Sequence, residues 1–159
     1  MKMQPAIAFL TIILAATIAC GGVTPASEQP IGNISPVRSR VEAGRYGNIQ
    51  EVSSTRDFFN QESVRVRNSG KGLINFKDGS TITLYNNTST EQVVAQVSPP
   101  EISLLLTNQG FQGYVPKGNT FNVKMPNGAQ VKILGTQFFI LFDQSTNYTM
   151  VGNFDGTVL

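Results

Sequence analysis

The chain has no histidine, no tryptophan and a single cysteine. Without histidine there is no Ser-His-Asp triad, no imidazole general base and no histidine-held metal. One cysteine supplies neither a disulfide framework nor a cysteine-rich zinc site. Charge is sparse too: 14% of residues are charged, against about 25% in an ordinary globular chain. Twelve Lys and Arg face ten Asp and Glu, for a net charge of +2. That balance leaves no electrostatic footprint for nucleic acid, and no nucleic-acid partner is expected. No metal site, cofactor or catalytic group is expected. Helical periodicity is also missing from most of the chain. What remains is a chain of 159 residues, one domain's length, made polar mainly by Asn, Gln, Ser and Thr.

The long apolar run that is present lies at the start. Lys2 carries a charge, and Ala6 to Ala19 is nearly all apolar. Such a run falls short of the ~20 residues that span a bilayer core. Charged start, apolar middle and small-residue end are the layout of an export signal, so residues 1–19 are expected to be a signal peptide. Thr17-Ile18-Ala19-Cys20-Gly21-Gly22 resembles a bacterial lipoprotein cleavage box, with Thr17 where Leu is usual. In that chemistry the Cys20 thiol takes the lipid, and several acyl chains (palmitate among them) anchor where one would bind only marginally. Two other readings stay open: ordinary cleavage after Ala19 with a free thiol, or an uncleaved anchor. Residues 20–36, with Pro and Gly and little apolar content, read as a lipidated cysteine and tether. The partner at this end is then a membrane, either the outer face of the cytoplasmic membrane or the outer membrane. A β domain is expected over residues 37–159.

Alternation of period two dominates that domain. Ser63-Val64-Arg65-Val66-Arg67, Thr81-Ile82-Thr83-Leu84-Tyr85, Thr120 to Met125 and Gln130 to Ile133 each put apolar residues on one face. Phe138–Phe142 and Ile102–Leu106 are continuously apolar and are expected as strands buried on both faces. Ser54–Gln61 is the best helix candidate. Asp78-Gly79 and Asn127-Gly128 stand between alternating runs, a strong hairpin signal, and Asp155-Gly156 echoes them. Gly135 between two apolar runs predicts a bulge or bend, with the Thr136 hydroxyl capping freed backbone groups. Many short strands with frequent turns predict an all-β fold: an antiparallel β-sandwich, jelly-roll-like, or a twisted β-solenoid built from short hairpins.

Three segments in order resemble the FecR domain of bacterial envelope proteins. Ser63 to Leu84 is similar to that family's strand, "DGS" turn and "x-I-x-L" strand. Asn119 to Gly128 resembles "F-x-V-x-T-P-x-G", with Met125 in place of Thr. Val131 to Ile140 resembles "V-x-V-x-G-T-x-F-x-V", and Asp155-Gly156-Thr157-Val158 stands where a closing strand is usual. The resemblance runs from about Val37 to Leu159. It implies an all-β scaffold and a periplasmic place in the cell envelope. Familiar members regulate sigma factors through a cytoplasmic segment, a membrane helix and a transporter partner. Only a few residues precede the apolar run here, so direct sigma-factor regulation is not expected, and the end at Leu159 reads as a truncated or early-stopped chain.

The candidate chemistry is thin. Asp78 and Asp155 each sit in a turn, where Asp bonds its own backbone. Arg65 and Arg67 share a strand face and suit either an anion or solvent. Tyr46, Tyr85, Tyr114 and Tyr148 suit either a sugar-binding surface or the edge of a core. The expected function is a non-enzymatic, membrane-anchored module that binds an envelope protein or a cell-envelope polymer. An envelope signalling component is the alternative. A cell-wall glycan enzyme is the third reading, and it needs two carboxylates within about 5–10 Å in a cleft.

Overall fold

The structure is a computed structural model that describes residues 28–154 and 157–159. In chain order the strands are β1 (Gly32–Arg38), β2 (Val41–Arg45), β3 (Asn48–Glu51), β4 (Arg56–Phe58), β5 (Glu62–Val66), β6 (Lys71–Phe76) and β7 (Thr81–Tyr85). They continue with β8 (Ser89–Val97), β9 (Pro100–Tyr114), β10 (Thr120–Lys124), β11 (Gln130–Leu134), β12 (Gln137–Asp143), β13 (Tyr148–Asn153) and β14 (Thr157–Val158). The described residues hold no helix. The all-β expectation holds, and the hairpins at Asp78-Gly79 and Asn127-Gly128 join β6 to β7 and β10 to β11.

The strands form one sheet curled into a half-barrel. Its two halves face each other. The front half runs β4-β1-β6-β7-β9-β12-β13, and the back half runs β3-β2-β5-β8-β9-β10-β11-β14. β9 belongs to both. Its first part pairs with β8 as far as Asn108, and its last part, from Gln109 to Tyr114, pairs with β12. The change of sheet falls where Gln109 has φ 54°. Thr88 Oγ1 donates to the Gly110 carbonyl there (2.6 Å), satisfying backbone that the bend frees. All pairings are antiparallel except β9 with β10.

Alternation places the core. Val64 and Val66, Ile82 and Leu84, Phe121, Val123 and Met125, and Val131 and Ile133 all point inward and are buried. Phe121 comes from the back half. Its ring lies 6.1 Å from Phe76, 6.2 Å from Phe111 and 5.7 Å from Phe138, all on the front half. These tilted and edge-on rings hold the halves together, each pair adding to the area it buries.

Four expectations need correction. Residues Ser54–Gln61 are not helical: Arg56–Phe58 is strand β4, paired with β1. The turn after it is tied down by Glu62, which takes the Phe59 N–H and the Arg56 guanidinium. The ordered domain starts at Gly32 instead of Val37. Ile31 and Ile34 are buried, so residues 32–36 are core-forming strand and not tether. Phe138–Phe142 buries one face only. Phe138, Ile140 and Phe142 point inward, while Leu141 is 45% exposed and Phe139 half-buried. Ile102–Leu106 likewise buries Ile102, Leu104 and Leu106 alone. A sheet with one dry face can still carry apolar residues outside, because apolar atoms make up more than half of a folded surface.

Candidate functional site: an uncharged aromatic face

Register assembles the outer face of the front half from strands distant in sequence. One outward row reads Ser35, Leu73, Thr83, Gln112, Phe139 and Gly152 across six strands. The next reads Asn33, Asn75, Thr81, Tyr114 and Gln137. On the other side of the first row stand Tyr85, Leu141 and Met150, with Leu141 and Met150 directly paired. Over β7, β9 and β12 the first two rows carry no charge; the second ends on β4 at exposed Asp57, in register with Asn33. Lys71 sits at one margin of the face, its Nζ 5.2 Å over the Tyr85 ring, and Asp143 sits at one end.

The face is apolar in rings and polar in amides and hydroxyls. Tyr114 is 44% exposed and Phe154 74%. A Cβ on Gly152 would stand 2.2 Å from the Phe139 ring, so that ring lies across the glycine of the neighbouring strand. Gln112 Nε2 donates to Tyr85 Oη at 2.6 Å, and Asn75 Nδ2 donates to Asn33 Oδ1 at 3.1 Å. Two shallow depressions adjoin on this face. One, of about 350 Å³, is lined by Tyr85, Gln109, Gln112, Phe139 and Leu141. The other, of about 320 Å³, is lined by Thr81, Tyr114, Gln112, Gln137 and Phe154.

The back half differs. Its outer surface carries Glu42, Arg65, Arg67, Glu101, Lys124 and Lys132. Arg67 spends its fork on Glu42, Nε to Oε1 and Nη2 to Oε2, both at 3.1 Å. At one corner Glu28, Arg45, Glu51, Arg56 and Glu62 line a groove of about 630 Å³. Its carboxylates are largely committed. Glu62 is buried, with both oxygens on Arg56 and Oε2 also on Phe59 N, while Glu28 pairs with Arg45. No cluster of His, Cys, Asp and Glu among the described residues could hold a metal.

The turn residues named by the sequence that are described lie between strands. Asp78 accepts from Ser80 N (2.8 Å) and Ser80 Oγ (2.9 Å), and Asn119 Nδ2 reaches the same carboxylate at 3.1 Å. Asn127 Oδ1 accepts from Ala129 N at 3.0 Å. Gly79 and Gly128 have φ 86° and 84°, the left-handed region that such turns require. Gly135 has φ 59°, and a Cβ there would lie 3.0 Å from Lys117 Cα. Thr136 beside it is buried and donates from Oγ1 to the Gln137 carbonyl. The charged end of the front face is another turn: Asp143 accepts from Ser145 Oγ, Thr146 Oγ1 and Ser145 N. Those bonds, the Ser145 hydroxyl first, hold its carboxyl down at about 2. Cys20, Asp155 and Gly156 lie outside the described residues.

Of the four tyrosines, Tyr85 and Tyr114 both stand on the front face, in different depressions, and Tyr148 stands at its Asp143 end. Tyr46 lies in the β2–β3 turn, fully exposed. Sequence reasoning misses Phe139, Leu141 and Met150, and reads Gly110-Phe111-Gln112-Gly113-Tyr114 either as an exposed binding loop or as a strand whose aromatics cover the core. The alternation of Gly110-Phe111-Gln112-Gly113-Tyr114 was the signal that could have placed Gln112 and Tyr114 on one side.

No curated protein and no solved structure matches the chain. The family model described as FecR protein matches residues 62–159, which are β5 through β14. That family is regulatory and non-enzymatic, its domains extracytoplasmic and related to envelope signalling. The strands β1 to β4 precede the match and complete both halves of the same curled sheet. With more than half of its residues in the match, the chain belongs to the FecR family.

Proposed function

We propose that this protein is a lipid-anchored binding module of the bacterial cell envelope, held to a membrane through Cys20 and presenting the front face of its half-barrel to an envelope partner. The observation that carries the reading is the division of the surface. One outer face is charged, with Arg67 forked onto Glu42, and the other is a broad face of rings and amides with charge only at its margins. Neutral faces with exposed rings are what binding sites use to gain area without desolvating charge. The grooved corner lends little to an enzyme reading, because Arg56 takes both oxygens of its buried glutamate, Glu62. Family membership favours a second reading, in which the bound partner belongs to an envelope signalling system.

Anchoring is tested in cells. Labelled palmitate should enter the wild-type chain and not Cys20→Ser, and the variant should move from the membrane to the soluble fraction. A wild-type chain that takes up no palmitate would sink the lipid-anchor reading.

A further inference from the structure

Building on the reading of the chain as an envelope binding module, we infer that the front face binds an uncharged glycan, a chain of hexose or N-acetylhexosamine rings laid over β7, β9 and β12. The chemistry of the two adjoining depressions leads there. Each joins aromatic rings to an amide: Tyr85 and Phe139 in one, Tyr114 and Phe154 in the other, with Gln112 lining both. A repeated site suits a ligand made of repeated units. A sugar ring has an apolar C–H face that stacks on an aromatic ring and an edge of hydroxyls that bonds amides. Gln112 uses one N–H on Tyr85, and an amide has further donor and acceptor capacity for such an edge. From Gly110 to Tyr114 the strand runs about 13 Å, longer than one sugar ring.

Charge decides against the other occupants. Over β7, β9 and β12 the two rows hold Thr83, Gln112 and Phe139, and Thr81, Tyr114 and Gln137, with no carboxylate or ammonium. Against an acidic or basic ligand the face offers only single charges at its margins, Lys71 beside Tyr85 and Asp57 on β4. A second copy of the chain, or a protein held by apolar contact, would need a drier centre than rows of amides and hydroxyls provide.

The test is an amide-resolved NMR titration of the purified chain with three hexamers. Two are neutral, β-1,4-linked N-acetylglucosamine and β-1,4-linked glucose; the third is an acidic hexagalacturonate. Saturable shifts with a neutral hexamer are expected at Thr81–Tyr85, Gln109–Tyr114 and Gln137–Leu141. Tyr114→Ala should weaken that binding about tenfold, and Arg65→Ala on the charged face should leave it unchanged. The inference falls if neither neutral hexamer shifts these amides at millimolar concentration. It falls equally if the acidic hexamer binds better, if the shifts map to the back half, or if light scattering shows a dimer that buries the same residues. Failure here with Cys20-dependent membrane retention intact removes the glycan and leaves the anchored module. Loss of palmitate labelling with glycan binding intact does the reverse.

Discussion

The two outer faces of the half-barrel come from one chain and share a core, yet they differ in kind. The back face carries Glu42, Arg65, Arg67, Glu101, Lys124 and Lys132, and at least one of its arginines is already forked onto a glutamate. The front face carries Thr83, Gln112, Tyr114, Gln137 and Phe139. Both faces are wet, and neither needs its particular side chains for burial. The core constrains only the inward residues, so the outward ones are free to serve solubility on one side and recognition on the other. A low charge content is therefore not spread evenly. On the front half it is confined to the margins, at Asp57, Lys71 and Asp143.

Breaking the bridge between the faces should cost most. Phe121→Ala removes the ring that joins the back half to Phe76, Phe111 and Phe138. It should destabilise the fold by about 3–5 kcal/mol in chemical denaturation. A loss below ~1 kcal/mol would mean the halves are held together elsewhere. Next comes the link by which the chain passes from β11 on the back to β12 on the front. Gly135→Val places a β-branched residue at φ 59° with its Cβ against Lys117. A loss of about 1–3 kcal/mol is expected, and an unchanged melting temperature would refute the strained-link account.

Smaller effects separate the faces themselves. Glu42→Gln unpairs Arg67 and should cost no more than about 1 kcal/mol at low salt. The gap between wild type and variant should close as salt rises, since exposed pairs are screened. A gap that persists at high salt would make this pair something more than a surface contact. The smallest change is at Asp143. Its folded value, lowered from 3.8 to about 2, means that the turn's stabilisation is present above the unfolded value. It is lost as pH falls through the folded one. The Ser145 amide resonance should therefore titrate with a midpoint near 2, while front-face amides such as Gln112 stay put. A midpoint near 4 for Ser145 would remove the hydrogen-bonded account of the turn.

Much of this architecture is legible from local pattern. Alternation at Ser63–Arg67, Thr81–Tyr85 and Thr120–Met125 names the inward residues correctly, because a half-buried strand writes its two faces in period two. Asp78-Gly79 and Asn127-Gly128 mark their turns for an equally local reason, the φ that glycine supplies. What local pattern does not carry is pairing. Nothing around Asn108 announces that β9 leaves one half for the other, or that its first part pairs in parallel with β10. The front face depends on that pairing: Thr83, Gln112 and Phe139 become neighbours only through register. Phe139 and Leu141 were hidden for another reason. An unbroken apolar run looks the same whether both faces are dry or one apolar row lies open to water. At Ser54–Gln61 the helix pattern gave way to a strand pinned by the Arg56–Glu62 pair, a tertiary contact that no propensity contains.

The four strands ahead of the family match have a practical consequence. β1 covers one side of β6, and β2 covers one side of β5. A recombinant fragment begun at Glu62 would keep the whole matched segment and bare two backbone margins on the same molecule. Such a fragment has a sticky end on each half of the half-barrel, and open, non-closing contacts of that sort build fibres. Cut there, the domain would be a monomer for polymerisation. Started before Ile31, it keeps its own caps.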